Sequence, residues 1–342
     1  MNPKFILSKQ ILKQQVETLT DLGLKVSYSY KTNREVGNIL QETSPEVDFS
    51  IHAKDEIKEI KDKSKISFFT QAESIEELKQ IIQEGITTFV VDNELDLKNL
   101  LEAATTPINL SLRMKFQEHR IGSGKYFVYG MPSRKVNEII SQIKDNPNIN
   151  NLGIHIHRKS QNTSEWEIQE ELEDSLAKES LERINSVNLG GGLPTKYRSY
   201  TSKVMPYIFQ KLTNAKNFLD TYNIQTTIEP GRFLAAPCIK LETEIIQVQE
   251  KNLIINTTIY NCALDNTLTN TKMLIEQELD ENQDGQYFLI KGNSPTRDDI
   301  FRYKVKLQNP KVGDKITFLN AGAYNYTTDF FGYKKLATEI IN

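Results

Sequence analysis

Eight short runs rich in β-branched and aromatic residues recur through the first two-thirds of the chain, and helical spacing separates most of them. They are residues 25–30, "VDFSI" (47–51), "ISFF" (66–69), "TFVV" (88–91), "INLSLRM" (108–114), "LGIHI" (152–156), "SVNL" (186–189) and "TTIE" (226–229). Strand and helix in regular alternation call for parallel strands joined by helical crossovers. The intervening segments carry their own signals. "SIEELKQIIQEG" opens on a capping box, Ser74 with Glu77, and stops at Gly85. "NELDLKNLLEAA", "SRKVNEIISQIKD" and "SEWEIQEELEDSLAKESLERI" place apolar residues three and four apart. Eight such strands predict a (β/α)8 barrel. A doubly wound open sheet is the competing arrangement, but no strand–GxGxxG–helix unit supports it.

After Arg232 the texture changes. "IKLETEIIQVQEKNLIINTTIYNC", "GQYFLIKG" and "VGDKITFLNAGAY" are β-rich with few helical stretches between them, which predicts a second, all-β domain. The opening "KFILS" is strand-like, lies outside the eight, and is expected to join that domain. The expected division is a barrel over 21–232 and a β-domain made of 1–20 and 233–342. At 342 residues, 38% hydrophobic and 25% charged, the chain is neither disordered nor membrane-embedded in composition. Neither a run of roughly 20 apolar residues nor a signal-like N-terminus is found. A cytoplasmic location is expected. Cys238 and Cys262 are too few for a disulfide scaffold or zinc cluster. The net charge of −3 provides no basic field for nucleic acid.

In a barrel, chemistry gathers where strands end. Strand one ends at Lys31, strand two carries Asp48 and strand five Arg113. Strand six runs into His155 and His157, strand seven into Gly190, Gly191 and Gly192, and strand eight into "EPGR", Glu229 to Arg232. The ends of strands seven and eight are the usual phosphate site of this fold, because backbone N–H groups there are uncovered. A lysine, a histidine, a glutamate and a phosphate cradle fit pyridoxal phosphate (PLP), with the lysine bonded to its aldehyde and an acid at its ring nitrogen. Other readings stand beside this one. Lys31 could simply surface into water, His155 and His157 could hold a metal, the glycines could form a plain turn, and Glu229 could bridge to Arg113. Tyr326, Phe330 and Phe331 read as packing residues.

The segments "YSYKTN", "HIHRKSQ", "NLGGGLP", "IEPGRFLAAP" and "NAGAYNYTTDFFGY" occur in the same order as the signature segments of the fold-type III PLP decarboxylases. These are the ornithine, lysine, arginine and diaminopimelate decarboxylases, which are similar to alanine racemase in fold. The resemblance covers nearly the whole chain and looks closest to a compact, archaeal-type ornithine decarboxylase branch. It implies a barrel plus a β-domain, and a homodimer with shared active sites. It also implies roles for individual residues. Lys31 would carry PLP, His157 would stack on its ring, and Glu229 would face the ring nitrogen. Ser160, Gly190, Gly191, Gly192, Gly231, Arg232 and Tyr324 would lie at the phosphate, and Asp48 would sit close to Lys31. A glutamate at the ring nitrogen favours decarboxylation over racemisation.

Two departures matter. Ornithine-type enzymes commonly carry a cysteine within a "GPTCD"-like segment that supplies the proton to the α-carbon. Here the segment reads "KGNSPTRDDIF" (291–301), without cysteine, leaving Lys31, His157, a tyrosine or water as donor. Substrate choice rests on acids for a distal cation, and Asp265, Asp298 and Asp299 are the candidates. These acids fit ornithine, lysine or arginine. The alternatives are a decarboxylase of diaminopimelate, whose second carboxylate calls for a residue such as Arg297, a carboxy-polyamine decarboxylase, and a PLP-binding protein without turnover.

Overall fold

The eight predicted strands are present and pair in parallel into a closed ring. They are β1 (Lys25–Ser29), β2 (Asp48–Ile51), β3 (Ile66–Thr70), β4 (Thr88–Val91), β5 (Ile108–Lys115), β6 (Ile149–Ile156), β7 (Ser186–Asn188) and β8 (Gln225–Ile228). Each pairs with the next in number, and β8 returns to β1 through Thr227 opposite Lys25 and Ile228 opposite Val26. The computed structural model describes residues 1–116, 129–143, 145–329 and 332–342. His119, Phe330 and Phe331 lie outside the described residues.

Two compact units emerge. One comprises Val16–Leu193 with Lys203–Gly231 and contains the barrel. The other comprises Met1–Gln15, Pro194–Ser202 and Arg232–Asn342. In the second, a mostly antiparallel sheet is built around the long strand Ile239–Gln249, which pairs with Asn252–Ile255 and Lys315–Leu319. The opening strand Lys4–Ser8 lies antiparallel to it, with Phe5 opposite Leu241, and parallel to Ala337–Ile341.

The barrel core lies between the ring and its helices. Tyr28, Phe49, Phe68, Phe89, Leu110, Leu112, Val187 and Ile228 are fully or nearly fully buried there, each worth about 1.5–3 kcal/mol of transfer free energy. Caps set where the helices begin. Ser74 and Glu77 form the predicted capping box on Ile75–Gln83. Asn93 accepts from the N–H groups of Leu95 and Asp96 to start Glu94–Ala103. Among the described residues, no helix is long and apolar enough to cross a membrane.

Candidate active site

Lys31 is held by its neighbours on both sides in sequence. It occupies a single 3-10 turn, Tyr30–Thr32, between β1 and the helix Arg34–Thr43. Asn33 caps that helix by accepting from the N–H groups of Glu35 and Val36, while its own carbonyl accepts from the Tyr28 hydroxyl at 3.0 Å. The Tyr30 hydroxyl donates to Glu59 Oε2 at 2.9 Å. The turn is thus pinned before and after the lysine. Burial lowers the Lys31 pKa below the ordinary lysine range and nearby Arg113 lowers it further, against the opposing pull of Glu229 and Glu56. An amine that loses its proton more readily is a better nucleophile toward an aldehyde.

Glu229 follows the last residue of β8, beside β1, and is buried among imidazoles. Its Oε2 lies 3.3 Å from His155 Nε2 and accepts from Asn188 Nδ2 at 3.2 Å, and its Oε1 lies 4.0 Å from His52 Nε2. Burial works against the Glu229 charge, but the close approach of His155 Nε2 is the chief influence that holds its carboxyl down to about 2. Burial keeps the imidazoles neutral, with His52 lowered to about 3 and His157 to about 4. Phe69 orients two of these rings. It stacks on His52 at 4.5 Å and meets His155 edge-on at 4.9 Å.

The triple glycine forms the turn after β7. Gly190 has φ +70°, and a Cβ there would come within 2.1 Å of the Ile156 carbonyl oxygen, so only glycine fits. Its N–H donates to Asn188 Oδ1 at 2.8 Å, its carbonyl accepts from Glu229 N at 2.8 Å, and Gly191 N–H donates to His157 Nδ1 at 3.2 Å. That last bond leaves the neutral His157 with its proton on Nε2. At Gly231 a Cβ would press within 2.2 Å of Thr32 Oγ1, beside Lys31. Arg113 does not bridge to Glu229. It pairs with Asp92 at 3.3 Å and lies over the Tyr129 ring.

In the second unit, Arg232 is buried, with Nη1 donating to Tyr197 at 3.2 Å and to Asp265 Oδ2 at 2.8 Å, and with its guanidinium 5.0 Å from the Tyr324 ring centre. Tyr324 itself sits at φ +52°. Both cysteines are buried, and burial pushes their thiols up to about 12.

Three expectations need correction. Asp48 is the first residue of β2, not the last, and its carboxylate pairs with Lys25 at 2.6 Å at the opposite end of the barrel from Lys31. Asp265 is no open carboxylate, because Arg232 and the Thr269 hydroxyl at 3.0 Å take it up. Asp299 is fully buried and accepts from the backbone N–H groups of Ile259 and Ser294 at 2.9 and 3.0 Å, so it braces the 291–299 loop. Asp298 is exposed on that loop, and Ser160 is exposed in a turn. His52, Asn188 and Asp92 were not singled out from the sequence. His52 was legible: Asp48, Ser50 and His52 step by two along one strand face, and the face that starts at the wrong mouth for Asp48 ends at the right one for His52.

Comparison with known proteins agrees with this geometry. No curated protein matches the sequence. Three solved structures share the fold along nearly the full length. The arginine decarboxylase of Paramecium bursaria Chlorella virus is 19% identical, with all of this chain and 97% of that one covered and a TM-score of 0.77. The lysine/ornithine decarboxylase from Vibrio vulnificus, complexed with cadaverine, is 18% identical over 100% and 95% of the two chains, with a TM-score of 0.79. A mutant diaminopimelate decarboxylase from Helicobacter pylori, complexed with L-lysine, is 19% identical over 100% and 92%, with a TM-score of 0.85. Residues 8–236 match the family described as "Pyridoxal-dependent decarboxylase, pyridoxal binding domain". A barrel whose strand ends bring a desolvated lysine to a buried glutamate thus belongs to the pyridoxal-dependent decarboxylases, carboxy-lyases that use pyridoxal phosphate.

Proposed function

We propose that this chain removes the α-carboxylate of a basic L-amino acid, ornithine first and lysine or arginine next, and releases the corresponding amine. The observation that carries this reading is that Lys31 and Glu229 follow the ends of adjacent strands β1 and β8 within electrostatic reach of each other, an amine made easier to deprotonate by burial near a buried carboxylate. These residues fit pyridoxal phosphate: a free amine suits its aldehyde, a buried carboxylate suits a protonated ring nitrogen, and the glycine turn suits a phosphate. The cofactor, once bound, supplies an electron-accepting ring and the aldehyde that the substrate amine takes over.

The chain's residues have separable tasks. Lys31 Nζ would hold the cofactor through its aldehyde. Glu229 would hold a proton on the ring nitrogen, and Asn188 and His155 fix the carboxylate's direction. His157 presents a ring face, with Nδ1 anchored on Gly191. Gly190, Gly191, Gly192 and Gly231 would receive the phosphate on their backbone, and Ser160, Arg232 and Tyr324 are assigned to it by sequence motif alone. Arg113, steadied by Asp92, keeps Lys31 short of protons. Loss of CO2 calls for a proton at the α-carbon. With both thiols buried, Lys31 Nζ, His157 Nε2, a tyrosine or water is left to deliver it. With Asp265 and Asp299 committed elsewhere, Asp298 is the remaining acid for a distal ammonium or guanidinium.

The chain resembles enzymes that work as homodimers, and we propose that state too, to be read from its mass in solution. The functional test is CO2 release by PLP-loaded protein from L-ornithine, L-lysine, L-arginine and meso-diaminopimelate, with Lys31→Ala as control. Release from one basic monocarboxylic substrate, lost in the control, is expected. Release from diaminopimelate alone would move the assignment to that branch. PLP bound through Lys31 with no release from any would mark a carrier instead.

A further inference from the structure

The inside of this barrel is polar, which is unusual. In (β/α)8 barrels the interior is ordinarily packed with Val, Ile and Leu. Here every strand turns mostly hydrophilic side chains inward around a cavity of about 270 Å³ below the site. Ser27, Ser67, Thr88, Asn109, Ser111 and Thr227 are among its walls. Their sequence neighbours Val26, Phe68, Phe89, Leu110, Leu112 and Ile228 are the buried residues that face the helices. The outer face is apolar as in other barrels, and only the inner face departs from the usual chemistry.

The cavity lies directly beneath the charged cluster. Thr227 precedes Glu229 by two residues on one strand face, Ser111 precedes Arg113 by two, and Ser50, bonded to Ser27 at 2.8 Å, precedes His52 by two. Asn188 belongs to both places, since it lines the cavity and donates to Glu229 Oε2 at 3.2 Å. At the far end the walls finish in Ser64, Asn151 and Gln225, all exposed, and in the half-exposed Lys25–Asp48 pair, so the cavity opens to solvent at the N-terminal mouth. A hydroxyl- and amide-lined space of this size is costly when dry. It has room for several waters, each taking about 30 Å³ in the liquid.

We propose that the barrel interior is a water-filled conduit that opens at the N-terminal mouth and exchanges protons between solvent and the Glu229–His155 pair, independently of the mouth where substrate enters. The ionisable groups just above its walls are Glu229, which Asn188 of the wall contacts, His155, His52 and Arg113, while Lys25 and Asp48 belong to the walls below. Its use is plain from stoichiometry. An amino acid with an ammonium and a carboxylate loses CO2 and takes up one proton from solvent to leave as the ammonium form of the amine, so the site must be resupplied with protons while substrate fills the upper mouth. The structural half stands on the cavity alone, and the proton half rests on the role of Glu229 proposed above.

The test uses the full chain loaded with PLP. Ser111→Cys and Asn109→Cys each place one thiol in the conduit, against native thiols that are both buried. A small, hydrophilic methanethiosulfonate should label both positions, at rates unchanged by saturating putrescine or cadaverine, and should leave the parent protein unlabelled. After labelling, the inserted group plugs the passage. The absorbance of the bound cofactor after a pH jump should then relax at least tenfold more slowly, to an unchanged endpoint. No labelling at either position until the protein is unfolded would overturn the conduit, and so would labelling with unaltered relaxation. If PLP instead fails to attach through Lys31, the functional reading fails, while labelling of the same chain still decides whether the passage is open.

Discussion

The two mouths of the barrel are built from the same eight strands and are both polar, yet they treat charge in opposite ways. At the N-terminal mouth Lys25 and Asp48 meet at 2.6 Å and are both partly exposed, so each charge has a partner and water. At the C-terminal mouth Lys31 is made easier to deprotonate, Glu229 is shut among neutral imidazoles, and Arg113 leans on Asp92 rather than on Glu229. The lower charges neutralise one another. The upper ones are shut away from water, and the amine of Lys31 loses its proton more readily there than it would in solvent. Identical strand chemistry thus produces an inert end and a reactive end, and the difference is desolvation without full pairing.

The largest effect that would break this comparison is at Lys31. Lys31→Ala should lower CO2 release by at least about 10³-fold, the scale on which nucleophilic and proton-transfer groups act. Borohydride should no longer fix PLP to the chain, which mass spectrometry reads directly. Retained activity would show that the desolvated amine is incidental. Glu229→Gln keeps shape and removes charge. A fall of about 10²–10³-fold in kcat, with PLP still bound, is expected from losing one preorganised electrostatic contact. An unchanged kcat would mean that the carboxylate only fills space among the histidines.

A smaller effect concerns acid stability. His52 titrates near 3 when folded and near 6.5 when unfolded, so between these values the unfolded chain binds more protons and stability rises with pH. Going from pH 7 to pH 5 should therefore remove about 2 kcal/mol through His52 alone. His157, lowered to about 4, adds to the loss over the range from about 6.5 downward. Glu229 has the same sign but a lower window, since its contribution is present above about 4.5 and is lost as pH falls toward 2. Chemical denaturation of His52→Phe at the two pH values should show a shallower loss than the parent. Parallel slopes would place the acid sensitivity elsewhere.

The fold was legible because its signals are local. Val-, Ile- and Phe-rich runs with caps such as Ser74–Glu77 between them specify strands and helices without reference to distant residues. Strand β6 shows the limit. It starts at Ile149 rather than 152, because Asn150 and Asn151 are polar and give no strand signal. Legibility held for position along a strand, since Lys31 and Glu229 do follow the last residues of β1 and β8. It failed for carboxylates. Asp48, Asp265 and Asp299 look alike in sequence, and each is defined by what meets it in space: Lys25, Arg232 and two backbone N–H groups. Those partners are 23, 33 and as many as 40 residues away, and no local pattern records them.

The smallest expected effect is the sharpest test of the contrast between the mouths. An exposed ion pair contributes between about 0 and 1 kcal/mol, because water screens it and two side chains must be immobilised to form it. Asp48→Asn and Lys25→Met should each move the unfolding free energy by less than about 1 kcal/mol. Both should leave kcat and the pH profile of CO2 release within about twofold of the parent, a difference under 0.5 kcal/mol in barrier height. These substitutions neither plug the passage beneath Glu229 nor change any charge at the upper mouth. A tenfold drop in kcat for Asp48→Asn would show that its charge is felt through the barrel at Lys31. The screening of the two ends from each other by the water-filled interior would then be wrong, and the barrel would have to be treated as one electrostatic unit.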